Sequence, residues 1–253
     1  LGPEFNEAAL FDPKGNFSVA GGYASSLGGL YPDGMLTRDD AKHKRTRRAS
    51  QPAFKNDALK TYVDMLIPIQ ERRIQGLPID EEFIFYDNIQ QTLMDVAARV
   101  FIGLDELSPE AKRLGYLFSE INEGLITPLP YNLPFLQYRK SLKAREELRK
   151  FFIDNIPKRR GSDGLDMFTR YCNAKDEDGQ YLNDIDIDGH IAFLLFAAFD
   201  TTTSALTNIL YYLGKNPDWQ DKVRNEIFDV KNKMPTFDDL AEMKLTEYVF
   251  QET

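Results

Sequence analysis

A mainly α-helical protein is predicted by three features of the chain. Apolar residues recur at helical spacing over most of the 253 residues, and strand-type alternation is almost absent. One apolar run, from a cap at Asn183 to Gly214, is long enough to cross the centre of a domain. At 1.5 Å rise per residue it would measure about 45 Å.

The elements follow in order. Residues Leu1 to Leu10 read as a short helix, and Phe11-Asp12-Pro13-Lys14-Gly15-Asn16 as a turn. Gly and Ser crowd Phe17 to Gly34, which predicts irregular chain. Helical patterns run from Thr37 to Gln51, from Asn56 to Gln75 and from Ile84 to Ile102, with Gly103 as a stop. Ser108 caps and Pro109 opens the next helix, because a hydroxyl can accept an orphan amide and proline lacks one. Prolines 128, 130 and 134 break the pattern in a packed surface loop before a charged helix, Tyr138 to Lys158. Asn183 and the acids Asp184, Asp186 and Asp188 suit the positive end of the central helix, and Pro217 lies where it should have stopped. The string Asp184-Ile185-Asp186-Ile187-Asp188-Gly189 mimics a calcium loop, but Leu195 occupies the place of the bidentate Glu. Asp176-Glu177-Asp178-Gly179 fails in the same way, so both read as a polar turn and a helix start.

The composition, 42% hydrophobic and 28% charged, is that of a globular domain with a core. A net charge of −9 argues against nucleic acid as a partner. One cysteine excludes a disulfide framework. Asp200 and the threonines after it interrupt the best apolar stretch, so no membrane segment is expected and a soluble cytoplasmic setting is favoured.

Two constellations carry chemistry. In the central helix, Ala197-Ala198-Phe199-Asp200-Thr201-Thr202-Thr203 places an acid beside an alcohol in apolar surroundings. Such a pair costs free energy unless a proton or a hydrogen bond is needed there. A packing role, with Asp200 paired to an arginine, is the plain alternative. Upstream, Asp39-Asp40-Ala41-Lys42-His43-Lys44-Arg45-Thr46-Arg47-Arg48 precedes Gln51-Pro52-Ala53-Phe54. His43 and Arg47 lie one helical turn apart, a pair suited to two carboxylates. A solvated basic face or a targeting patch is the alternative there.

Small-small-x-acid-Thr in a long helix, together with His-x-x-x-Arg before Pro-Ala-Phe, resembles the cytochrome P-450 (haem-thiolate monooxygenase) superfamily. The segment Asn216 to Ile227 and then Leu240 to Thr253 resembles the family's next two helices, with Glu252 at the Glu of a Glu-x-x-Arg motif whose Arg lies beyond the chain. The resemblance implies a partial cytochrome P-450 fold with a long central oxygen-activating helix, residues 1–253 forming one catalytic domain incomplete at both ends. It implies haem (iron protoporphyrin IX) as cofactor, dioxygen, an apolar small-molecule substrate, and an electron-donor protein, either a ferredoxin or a flavoprotein reductase. Thr201 and Asp200 would be the catalytic pair that supports oxygen activation and links it to solvent protons. His43 and Arg47 would grip the haem propionates, Ala197 and Ala198 would let the haem approach, and Phe193, Phe196 and Ala197 would line the substrate pocket. Ala198 departs from the family, which usually has Gly there. Other basic residues of the upstream cluster would point elsewhere, some toward the electron donor. Cys172 lies upstream of the Thr helix without a glycine-rich loop, so it reads as an ordinary buried cysteine and the axial ligand as absent from this chain. A peroxide-using or rearranging relative, and a non-enzymatic helical binding module, are the rival readings.

Overall fold

Capping chemistry sets most helix limits in the computed structural model, which describes residues 2–12, 15–230 and 234–253. Helix α1 spans Pro3–Phe11, and α2 is a short turn of helix, Val19–Tyr23, where irregular chain was expected. Its order comes from Asp39, whose carboxylate accepts the amides of Val19 and Ala20 and the Ser18 hydroxyl. Leu1, Pro13 and Lys14, included in the expected first helix and turn, lie outside the described residues.

Helix α3, Asp40–Ser50, begins three residues later than expected, because Met35–Thr37 is a separate 3-10 turn. Helix α4, Asn56–Gln75, has the expected bounds. The amphipathic stretch splits into α5, Phe85–Val96, and a π-helical turn, Ala97–Ile102. Gly103 ends it in the left-handed conformation (φ 74°), and a Cβ there would meet the Asp166 carboxyl at 2.4 Å. Helix α6, Pro109–Leu125, starts with the Ser108 side chain accepting from the Ala111 amide. Helix α7, Gln137–Arg159, returns antiparallel to α6; Ser141 donates to the Glu120 carbonyl and Arg113 pairs with Glu147. Helix α8, Met167–Asn173, was not foreseen; its buried Phe168, Tyr171 and Cys172 seal one end of the core.

The central helix α9 is Asp184–Lys215, 32 residues, with Asn183 accepting from the Asp186 amide. Ile187, Ile191, Ala192 and Leu195 are buried against α5, α7 and α8, while Leu210, Tyr211 and Tyr212 remain exposed. The expectation of no membrane-length segment needs correcting. By length and composition alone α9 is long and apolar enough to cross a membrane. One acid and a few threonines do not interrupt it enough, and burying its first half in a core requires the same apolar composition. Helices α10, Pro217–Asp229, and α11, Lys244–Glu252, follow and pack on each other; Glu226 of α10 caps α11 at the amides of Leu245 and Thr246. Among the described residues the only β pairing is the isolated Lys175–Tyr181 bridge.

The segment between α2 and α3 lies directly on α9. A Cβ at Gly34 would strike the Phe193 ring at 2.9 Å, and one at Gly189 would strike the Asp33 carbonyl at 2.6 Å. Two glycines thus let this segment reach the first half of α9, and they fix its height along the helix.

Candidate functional site on the central helix

The buried start of α9 gives way to a half-open stretch at the acid and the threonines. Phe193 is buried, Phe196, Ala197 and Ala198 are half-buried, and Asp200 and Thr201 are exposed. The Thr201 hydroxyl donates to the Ala197 carbonyl at 2.6 Å, and Thr203 and Thr207 do the same to Phe199 and Thr203. Each such bond gives a helix carbonyl a second donor, a pattern that slightly destabilises helices and often bends them. Asp200 forms no ion pair among the described residues, so pairing to an arginine does not account for it. Burial raises its carboxyl above the usual aspartate range.

Phe196 stacks on Tyr31 with ring centroids 4.8 Å apart, and Phe193 lies 6.0 Å from Phe196. Both rings therefore belong to a wall between α9 and the Gly34 segment, with Tyr31 itself fully buried. The Tyr31 hydroxyl donates to Asn122 of α6, and burial raises its pKa. Tyr31 is a residue that sequence reasoning missed, since it stands in a stretch without periodicity.

Beneath the wall run two ion pairs, the first buried on both sides and the second on its arginine side. Arg145 of α7 grips Asp188 of α9 through two hydrogen bonds of 3.0 and 2.7 Å, and its Nε donates to the Leu30 carbonyl. Arg38 lies 2.6 Å from Asp186 and donates to Thr46 of α3. Together they fasten α7, α9 and the approach to α3 into one frame. One signal was available for Arg145, which falls on the buried face of α7 with Ser141, Ala144 and Leu148. His190 is buried beside this frame with Nε2 unpartnered, and burial, followed by Arg38, lowers its pKa to about 3.

The basic cluster of α3 separates by partner. Lys42 reaches Asp33 at 3.2 Å, Arg45 holds Asp176, and Arg48 holds Glu177. Among the described residues, Arg47 is exposed with no carboxylate or hydrogen-bond partner, and the half-buried His43 side chain has no hydrogen bond. The pair expected to grip two carboxylates is therefore left unsatisfied, while its basic neighbours Lys42, Arg45 and Arg48 are not. That donor set fits the two propionates of a haem: a guanidinium and an imidazole one turn apart on a half-open helix. Helices α3 and α9 both pack on the Met35–Thr37 turn, which links the two constellations.

Glu252 is exposed and lines a cleft of about 640 Å³ with Tyr212, Trp219 and Tyr248, between the ends of α9, α10 and α11. Cys172 is fully buried, and burial raises its thiol to about 12. It cannot supply a thiolate where it stands.

The sequence pattern described as Cytochrome P450 matches residues 2–253. Putative cytochrome P450 136 of Mycobacterium tuberculosis is 29% identical over 234 residues, covering 89% of this chain and 46% of that protein. Abscisic acid 8'-hydroxylase 2 of Arabidopsis thaliana is 27% identical, covering 88% of this chain and 48% of that protein. A solved structure, retinoic acid-bound cyanobacterial CYP120A1, superposes with a TM-score of 0.81 at 27% identity, covering 90% of this chain and 52% of that one. The chain spans about half the length of the curated relatives it matches. With the family pattern matched across nearly its whole length, the chain belongs to the cytochrome P450 family.

Proposed function

We propose that these residues form the central part of a haem-dependent monooxygenase that inserts one atom of dioxygen into an apolar organic substrate. The carrying observation is the unpaired Asp200 beside Thr201 on a helix whose next turn back is Ala197 and Ala198. Haem, when bound, supplies the dioxygen and electron-transfer chemistry. The chain's own part is positioning and proton delivery. Arg47 and His43 bind and orient the propionates. Ala197 and Ala198 leave room for a flat group against α9. The Thr201 Oγ1, now donating to the Ala197 carbonyl, is a hydroxyl that can turn to a ligand, and the Asp200 carboxylate exchanges protons with solvent. Phe193 and Phe196 give the inner wall an apolar face.

Relatives named for hydroxylation support this reading, among them the abscisic acid hydroxylase and a beta-amyrin 6-beta-monooxygenase of Solanum lycopersicum, 26% identical. Their named substrates are largely hydrocarbon, as is the retinoic acid of the solved structure. Electrons would come from a ferredoxin or a flavoprotein reductase. The Asp200–Thr201 pair favours oxygen activation over a peroxide-using or rearranging relative, neither of which needs protons delivered to dioxygen.

The test uses the complete haem protein. Its reduced carbon monoxide complex should show the thiolate-type Soret band, and labelled dioxygen should appear in a hydroxylated apolar product. A band of the imidazole type would overturn the haem-thiolate reading. A product labelled only from peroxide or water would overturn the monooxygenase reading.

A further inference from the structure

Which way α3 faces is decided by a turn far away in sequence. Residues advance about 100° each around a helix. His43 and Arg47 therefore share one side of α3, while Arg45 and Arg48 lie on the side opposite. Those two are held by consecutive acids of the turn before α9. Arg45 donates from Nε to Asp176 Oδ2 at 2.9 Å and again from its terminal nitrogen; Arg48 donates to Glu177. The Asp176 side chain is only 2% exposed, against 59% for Arg45. Its other oxygen accepts the amides of Asp178 and Gln180 at 3.0 and 2.9 Å. The carboxylate is thus fixed by its own turn before it meets the arginine, and the Lys175–Tyr181 bridge closes that turn. A rigid acid holding one side of a helix sets its roll.

We propose that Asp176, with Glu177 beside it, is a positioning residue for the cofactor: it clamps Arg45 and Arg48, so that α3 presents the side carrying His43 and Arg47 to the propionates. This rests on the propionate reading of His43 and Arg47. The clamp also keeps Arg45, a chemically equal cation two residues from Arg47, from competing for the same anions. Without it, the roll of α3 is left to the small buried residues Thr46, Ala49 and Ser50, the Arg38–Thr46 hydrogen bond and the exposed Lys42–Asp33 pair.

The experiment measures the rate of haem loss from the complete ferric protein to excess apomyoglobin. Four proteins are compared with the parent: Arg47→Ala, Asp176→Asn, Arg45→Ala, and Arg47→Ala combined with Asp176→Asn. Asp176→Asn keeps an oxygen for the two amides and removes the charge facing Arg45. Arg45→Ala leaves the turn intact and alters an exposed side chain, so at least one variant folds.

Arg47→Ala should speed haem loss about tenfold, the loss of one charge-assisted hydrogen bond. Asp176→Asn and Arg45→Ala should each speed it about threefold, with unchanged urea midpoints for the apoprotein. The combined variant should speed haem loss by less than the product of the two single effects, because Asp176 acts through the face of α3 that carries Arg47 and His43. Multiplicative effects in the combined variant, or no effect of Asp176→Asn and Arg45→Ala while Arg47→Ala is tenfold faster, would overturn the clamp alone. No effect of Arg47→Ala would overturn the propionate reading, and the clamp with it.

Discussion

At the scale of single residues, the hydroxyl of Thr201 and the ring of His190 give opposite kinds of test. Thr201 is exposed and its hydroxyl bonds only to the Ala197 carbonyl, so Thr201→Ala opens no cavity and should shift stability by no more than about 0.5 kcal/mol. In the complete haem protein the same change should raise hydrogen peroxide released per substrate hydroxylated, because one hydrogen bond that supports oxygen activation is gone. Asp200→Asn should instead slow turnover, since an amide cannot take up and release a proton as a carboxylate does. If the peroxide ratio stays constant in Thr201→Ala, the Thr201 hydroxyl takes no part in oxygen activation. His190 concerns stability only. Its folded pKa of about 3 lies below the ordinary 6.5, so the folded state binds fewer protons, and the stability present above pH 6.5 is lost as pH falls toward 3. Between roughly pH 7 and pH 5.5, ahead of most carboxylates, the loss should be about 1 kcal/mol. His190→Phe should flatten that slope in urea unfolding, and a slope as steep as the parent's would show that another group sets it.

At the scale of elements, α7 and α9 are joined by a charge pair that neither helix could keep alone. Arg145 and Asp188 are both buried, at 5% and 3% exposure, with two hydrogen bonds between them. Arg145→Met should destabilise the chain by about 3–5 kcal/mol, because buried Asp188 would lose both its hydrogen bonds and keep only the looser, half-exposed Arg149 at 3.8 Å. Arg145→Met with Asp188→Leu should recover much of that loss in a urea titration; equal destabilisation of the single and double variants would mean that the pair is not what joins the helices. The same pair shows where sequence reading stops. Helix limits at Ser108, Asn183 and Gly103 were legible because a cap satisfies amides or carbonyls within its own turn. Helix α8 was not, since it has seven residues and its Asp166 cap is also held by Arg159. His43, Arg47, Asp200 and Thr201 could be picked out from spacing within one helix. Ion pairs between distant elements leave no such local signal: Arg145 and Asp188 are 43 positions apart, and Arg45 meets an acid 131 positions away. Sorting the basic cluster into held and free cations required the fold.

At the scale of the whole molecule, the arrangement divides labour between a rigid half and an open one. The frame of α6, α7, α8 and the first half of α9, with Leu30 and Tyr31 laid against it, holds most of the large buried side chains, while the second half of α9, with α10 and α11, exposes Leu210, Tyr211, Tyr212, Trp219 and Tyr248. His43 and Arg47 on α3 and the Asp200–Thr201 pair on α9 are carried by helices that both pack on the Met35–Thr37 turn, which is the arrangement behind the proposed cofactor role. A haem-thiolate site needs an anionic sulfur ligand. Cys172 is the one cysteine, sits in the rigid half with no exposure, and has its thiol raised to about 12 by burial. Forming a thiolate there would put a charge into the core at a burial cost that the nearby Arg159 and Arg160 do not offset, and Cys172 is sealed beside the buried Phe168 and Tyr171. The 253-residue chain, purified alone and given haem, should therefore show no thiolate-type band in its reduced carbon monoxide spectrum. In the complete protein, Cys172→Ser should leave that band unchanged. A thiolate-type band from the isolated chain that disappears with Cys172→Ser would place the ligand at Cys172, and would require α8 to unpack from the core for iron to reach it.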